Sequence, residues 1–297
     1  MPRQPSGEQW TLHGGDYEAV VVEVGGGLRS CTDGGRPIVD GYGAAERCAG
    51  GAGQVLAPWP NRVRDGKWSW DGADQQLALS EPMAGNAIHG LTRWRTWTLS
   101  ERTADSVTVN CQVDPQPGYP GSLLLTTQWR VSGDGLCVQH TALNNGPAAT
   151  PFGLGVHPYL MVDGADVDDL ELQLAAETAL RTDERGLPVG GYRVAGTDVD
   201  YRAGRRIGTA VLDTAFTGGV TGARISAGER GVALTVDAAF GWLQVFTGDT
   251  LPGTRRRRSV AIEPMTCPPD ALNSRRDLVV LQPEESWQGS WSLRATR

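Results

Sequence analysis

The chain has 297 residues, 39% hydrophobic and 21% charged, enough to bury a large core as one big β domain or two ordinary ones. Its formal net charge of -7 argues against nucleic acid as the main partner, because polyanion binding needs basic faces that displace counterions. With 40 glycines and 18 prolines, the composition describes many turns between short elements and favours strands over helices.

At the N-terminus no apolar h-region follows the charges of MPRQPSGEQW, and no later apolar run approaches the roughly 20 residues of a membrane span. A cytoplasmic location without membrane association is the expectation. The first strand candidate is YEAVVVEV (17–24). The glycine-rich GGGLRS behind it lacks the G-x-G-x-x-G order and a following helix, and no G-x-x-x-x-G-K-[ST] occurs, so nucleotide-binding folds drop out. LAPWPNRVRDG then places Arg62 among prolines and a glycine, and NAIHGL places His89 before a glycine.

LLLTTQWRV (123–131) and LCVQHTAL (136–143) alternate with period two around the turn signal SGDG. His140 shares a face with Leu136, Val138 and Ala142, and reads as structural. GVHPY carries His157 beside a proline. In LELQL (170–174) the three leucines point one way and Glu171 and Gln173 the other, a strand with one wet face. AVLDTAF carries Asp213, and VALTVD (232–237) and WLQVF (242–246) are two more strands.

The run Arg255 to Arg258 between two strands reads as a solvated loop. In VAIEPMT, Val260 and Ile262 share one face, so Glu263 projects from the other, where the strand is expected to end before Pro264. In SWQGSWSLR, Trp287, Gly289, Trp291 and Leu293 share a face that packs on a second sheet. No long stretch keeps helical spacing. The fold class is therefore all-β, with two large sheets packed face to face and few short helices, in one continuous domain without a linker.

Cys31, Cys48, Cys111, Cys137 and Cys267 are odd in number and scattered, which reads as reduced core thiols. His13, His89, His140 and His157 lie too far apart in sequence for zinc-ligand spacing, and no G-x-S-x-G elbow occurs. Taken singly, each remaining polar residue also has an ordinary reading. His157 and His89 can be packed histidines, Arg62 a loop tether, Asp213 a turn or cap, and Glu263 a surface carboxylate.

Taken in order, PWPNRV, IHG, HPY, LDTAF and EPMT resemble the aldose 1-epimerase family, the galactose mutarotases, from about residue 56 to 268. KWSWDG (67–72) and PEESWQGSWSL are lesser likenesses. The resemblance implies a large antiparallel β-sandwich, the galactose mutarotase-like supersandwich, with a sugar cleft on a concave face. It implies His157 as general acid, Glu263 as general base, and Arg62, His89 and Asp213 as substrate-binding residues, with neither metal nor cofactor. The substrate would be a free aldohexose whose α and β anomers exchange by ring opening and closure. Glu263 is expected ionised if near its reference pKa, and His157 imidazolium. Rings of Trp59, Trp94 or Trp242 are candidates to cover a sugar face.

Three rivals stand beside this reading. One is a hexose-6-phosphate mutarotase using Arg64, Arg93 or the 255–258 run; another is a glycoside hydrolase using Asp213 and Glu263. The third is a non-catalytic sugar-binding protein. Oligomeric state is not legible.

Overall fold

The computed structural model describes residues 3–297; Met1 and Pro2, which begin the segment read above for a leader, lie outside them. Alternation becomes strand wherever it is sustained: in Glu171–Leu174 the two leucines are buried and Glu171 and Gln173 are exposed. The longest alternating runs form Leu123–Ser132, Gly135–Asn144 and Ser286–Thr296, three neighbouring strands of a nine-stranded antiparallel sheet. An eight-stranded sheet contains, in spatial order, Thr178–Thr182, Asp213–Thr217, Trp242–Phe246, Val260–Met265 and Gly155–Val156, again antiparallel. Among the described residues the only α-helix is the single turn Ala271–Ser274.

One hydrophobic cluster joins the two sheets, with Val109, Leu125, Trp129, Val138 and Leu293 from the first and Val156, Leu243, Val245, Val260 and Ile262 from the second. This is the expected face-to-face sandwich. Trp291 is buried edge-on against Trp129, with ring centroids 5.9 Å apart, and Trp287 packs on Phe152 at 5.4 Å. At roughly 1.5–3 kcal/mol for each large apolar side chain fully buried, this layer carries most of the driving force. A four-stranded sheet beginning at Gln9–Gly14 packs on Leu123–Ser132.

Two expectations are corrected. Val260–Met265 does not end before Pro264 but runs through it, with Pro264 opposite Leu243 and Met265 opposite both Trp242 and Gly155. The proline removes one ladder donor, and pairing resumes at the next residue. All five cysteines are free, but Cys137 lies on the solvent face of its strand, so only four are core thiols.

His140 is structural, as its strand face predicts. Its Nε2 accepts from Trp291 Nε1 at 2.9 Å, so its Nδ1 carries the proton and faces Thr127 Oγ1 at 2.9 Å. Burial lowers its pKa to about 3. A histidine neutral when folded and protonated when unfolded stabilises the fold above about pH 6.5 and loses that contribution as pH falls toward 3. Replacing His140 by Leu strands the Trp291 donor and should cost about 1–3 kcal/mol in urea denaturation at pH 7. It should also flatten the acid-side decline of stability by up to about 1.4 kcal/mol per pH unit. An unchanged decline would contradict this assignment.

Candidate active site

The inner face of the eight-stranded sheet makes core, so its outer face is free to carry polar chemistry. In Val260–Met265 the core takes Val260 and Ile262, which turns Ala261, Glu263 and Met265 outward; in Trp242–Phe246 it takes Leu243 and Val245, which turns Trp242, Gln244 and Phe246 outward. Register sets Gln244 opposite Glu263. On the other side of Val260–Met265, Gly155 pairs with Met265 and Tyr159 with Ala261. The same register continued across the gap sets His157 opposite Glu263. Pro158 and Pro264, neither with an N–H, account for the gap. Gln244 and Glu263 on neighbouring strands, with His157 in the break between Gly155–Val156 and Tyr159–Leu160, therefore form a row.

His157 Nε2 lies 3.3 Å from Glu263 Oε1, and the residues are 5% and 2% exposed. The Tyr159 ring stacks on the imidazole at 4.9 Å, and its hydroxyl donates to the Gly50 carbonyl at 2.9 Å. Gly51 has φ +76°, and a Cβ there would stand 3.0 Å from the His157 ring, so glycine is needed on both counts. His89 meets His157 edge-on at 5.4 Å. Its backbone is held at φ 63°, a costly conformation for a non-glycine residue, and its Nδ1 accepts the Asn61 N–H at 3.2 Å. That bond leaves the proton on Nε2, ready to donate.

Burial dominates the protonation of the central groups. It lowers the His157 pKa to about 3, aided by the charge of Arg93, and holds His89 well below its ordinary value. Burial, then the charge of Asp213, raises Glu263 well above the ordinary carboxylate range, against the fields of Arg62 and Arg93. The expected ionised Glu263 and imidazolium His157 are thus corrected for the free cleft. Burial disfavours the charged form of each group, so a protonated carboxyl faces a neutral imidazole in the free cleft.

Arg62 donates to both Glu81 oxygens, Nε to Oε2 at 2.9 Å and Nη2 to Oε1 at 3.0 Å, and Nη1 reaches Asp213 Oδ2 at 3.3 Å. Gln244 Nε2 donates to Asp213 Oδ1 at 2.5 Å. The loop at 183–187 closes this side: Arg185 donates to Ala84 O at 2.7 Å and to Asp65 Oδ1 at 2.8 Å. Three buried atoms beside the pair have no hydrogen-bond partner in the protein, namely His157 Nδ1, Glu263 Oε2 and Gln244 Oε1.

All five residues expected from sequence line one cleft of about 230 Å³, together with Asn61, Arg93, Tyr159 and Phe246. This is below the roughly 300–1,000 Å³ of drug-sized sites and suits one sugar ring. A larger groove of about 550 Å³ beside Trp70 and Pro120 has no acid/base pair.

The tryptophan candidates fail. Trp59 is core, Trp242 is buried with its indole N–H on Asp277 at 2.9 Å, and Trp94 is exposed beside the cleft without lining it. Gln244 and Phe246 were missed, although their alternation with Leu243 and Val245 in WLQVF marks them as sharing a face. The arginine run is no free loop either. Arg257 bridges Asp168 and Asp249, both at 2.8 Å, and Arg258 pairs with Asp40. Arg64 pairs with Asp183 at 3.6 Å.

Comparison with known proteins settles the ancestry. The family model described as aldose 1-epimerase matches residues 8–294. The chain belongs to the aldose 1-epimerase family. Within that family's range of names, the uncharacterized protein YihR of Escherichia coli K12 is 34% identical over 280 residues, covering 93% of this chain and 90% of that one. The galactose mutarotase of Homo sapiens is 28% identical over 267 residues, 79% of this chain and 76% of its own. A solved aldose epimerase homologue from C. elegans superposes with TM-score 0.88 at 18% identity, covering 98% and 99%, which shows the fold.

The protonation assignment can be tested without a substrate. In ¹⁵N NMR of the free protein, the His157 imidazole should remain neutral at pH 5, since its pKa is lowered to about 3. Titration near 6.5 would show that burial does not govern the pair.

Proposed function

We propose that this protein is an aldose 1-epimerase that exchanges the α and β anomers of an aldohexose. The observation that carries the reading is the buried contact of 3.3 Å between His157 and Glu263 in a cleft of monosaccharide size.

Anomer exchange needs a proton removed from the C1 hydroxyl while another is delivered to the ring oxygen as its bond to C1 breaks. Rotation about C1–C2 then presents the other carbonyl face, and the two transfers reverse. Glu263 as carboxylate is the base at C1, and His157 as imidazolium is the acid at the ring oxygen. These are the charged tautomer of the pair described above, reached by moving its single proton from Glu263 to His157. No proton need be drawn from solvent. The fields of Arg62 and Arg93 favour the carboxylate and so lower the cost of that tautomer.

Arg62, His89 and Asp213 hold sugar hydroxyls: Arg62 and the His89 Nε2–H donate, and Asp213 accepts. Phe246, on the same cleft wall, offers a flat face to ring C–H bonds. The chain's relation to a protein named galactose mutarotase supports a hexose. A non-catalytic sugar-binding protein would use the same hydroxyl contacts, but has no need of two buried groups sharing a proton. A hydrolase using Asp213 and Glu263 is disfavoured because Asp213 is engaged by Arg62 and Gln244.

Polarimetry of freshly dissolved α-D-glucose and α-D-galactose tests the reading. The protein should hasten the decay over the spontaneous rate, and His157→Asn or Glu263→Gln should each lower kcat by about 10²–10⁴-fold. Sugar binding without acceleration would make it a binding protein. The pH profile should keep its rate below pH 6.5, because a second proton joins the pair only against burial; an acid limb at 6.5 would contradict the shared-proton mechanism.

A further inference from the structure

Moving the proton from Glu263 to His157 creates two charges in a buried place, and the surroundings treat them unequally. The fields of Arg62 and Arg93 favour the Glu263 carboxylate. Arg93 lines the cleft, its Nε donates to Gln54 Oε1 at 3.0 Å, and among the described residues no carboxylate lies within the 4.0 Å that defines an ion pair. That unpaired charge acts against a cation on His157. Hydrogen bonding gives little relief on the far side of the imidazole: Nδ1 is buried without a partner on any other residue, and only the residue's own backbone favours its protonation. Apart from Glu263 itself, an imidazolium must find its stabilisation across the faces of its ring.

Tyr159 covers one of those faces. Its ring stacks on the imidazole with centroids 4.9 Å apart and planes 21° from parallel. The ring is fixed in place: it is buried, its strand pairs it with Ala261, Leu251 packs beside it, and Phe246 meets it edge-on at 6.4 Å. Burial, then the charge of Glu263, raises the Tyr159 pKa, so the hydroxyl keeps its proton and donates it to the Gly50 carbonyl at 2.9 Å. That donation leaves more negative charge on the phenol oxygen and so on the ring. An aromatic face is negative and attracts a cation within about 6 Å of its centroid, most strongly where water is excluded. A neutral imidazole gains only packing from the same contact. The stack therefore favours the charged form of His157 over the neutral one, a difference realised only when the proton moves.

We propose that Tyr159 is a positioning residue for anomer exchange, acting through His157: its ring face stabilises the imidazolium that forms when Glu263 passes its proton to His157 Nε2. The carboxyl becomes carboxylate, the imidazole becomes imidazolium, and no further group gains or loses a proton. This rests on the anomerase reading and deepens it by naming what holds the acid in its charged state. The Tyr159 hydroxyl is engaged by Gly50, so the role needs no bond from it to the sugar.

Fluorinated phenylalanines at position 159 of the full chain test this, because fluorine withdraws charge from a ring face with little change of shape. The readout is kcat and KM for the best substrate in a panel of aldohexoses, followed by polarimetry against protein-free controls. Tyr159→Phe keeps the stack and should hold kcat within about threefold of the wild type. From that variant, kcat should fall with each added fluorine, by about tenfold from phenylalanine to its trifluoro derivative, while KM stays nearly constant. Tyr159→Leu, which has no aromatic face, should lose at least as much; circular dichroism and Tm confirm that each variant is folded. If Tyr159→Leu does not fold, the fluorinated series decides. A kcat that is flat across the series, or a series in which only KM moves, overturns the inference while leaving the anomerase reading intact. If the wild type accelerates no aldohexose, both fall, since the charge to be stabilised arises only in that exchange.

Discussion

The cleft is organised by the cost of charge in a buried place. His157, in the break between two short strands, faces Glu263 on the neighbouring strand where neither ion is well solvated, so burial favours the neutral form of each. That is a demanding arrangement to build, because a carboxyl and an imidazole must meet 3.3 Å apart at the floor of a cleft with little solvent to stabilise either charge. The sheet supplies it by register alone. Two strands in fixed antiparallel pairing bring a histidine and a glutamate opposite each other, and a proline next to each interrupts the ladder without moving it.

Around that centre, charge is either cancelled or left available. Arg62 has its charge balanced by two carboxylates and can act as a positioned donor without imposing a field of full strength. Arg257 and Arg258, which look like a basic patch as letters, brace the segment after Phe246 internally through Asp249 and tie it to Asp168 and Asp40. The contrast between these and Arg93 shows why counting basic residues says little about a site. What matters is which of them already has an anion, and only the fold reveals that.

Much of the architecture was open to reading in one dimension. The runs read as strands all form strands, because period-two patterning reports directly on which face is buried. The two-residue strands Val55–Leu56 and Gly155–Val156 were not legible, since so short a segment has no period to detect. Of the site, the five residues near prolines, glycines and strand ends converge on one cleft. Gln244 escaped notice because one polar residue in an alternating strand looks like an ordinary wet face. Trp59 and Trp242 were misjudged because closeness in sequence to a motif says nothing about which side of the sheet a ring takes. The protonation of the pair was inverted for a related reason: a reference pKa belongs to a solvated group, and burial is a property of the assembled sheet.

The position of Val260–Met265 has a consequence for how the chain acquires its cleft. This strand comes late in sequence, yet it inserts between Trp242–Phe246 on one side and Gly155–Val156 and Tyr159–Leu160 on the other. Its pairing with residues about a hundred positions upstream closes a long loop, a slow kind of contact to form. A chain emerging from the ribosome can complete the hairpin of Leu123–Ser132 and Gly135–Asn144 while His157 still lacks its partner. The two halves of the cleft therefore meet only once the strand Val260–Met265 has been made and paired, so competence for chemistry waits on that one strand.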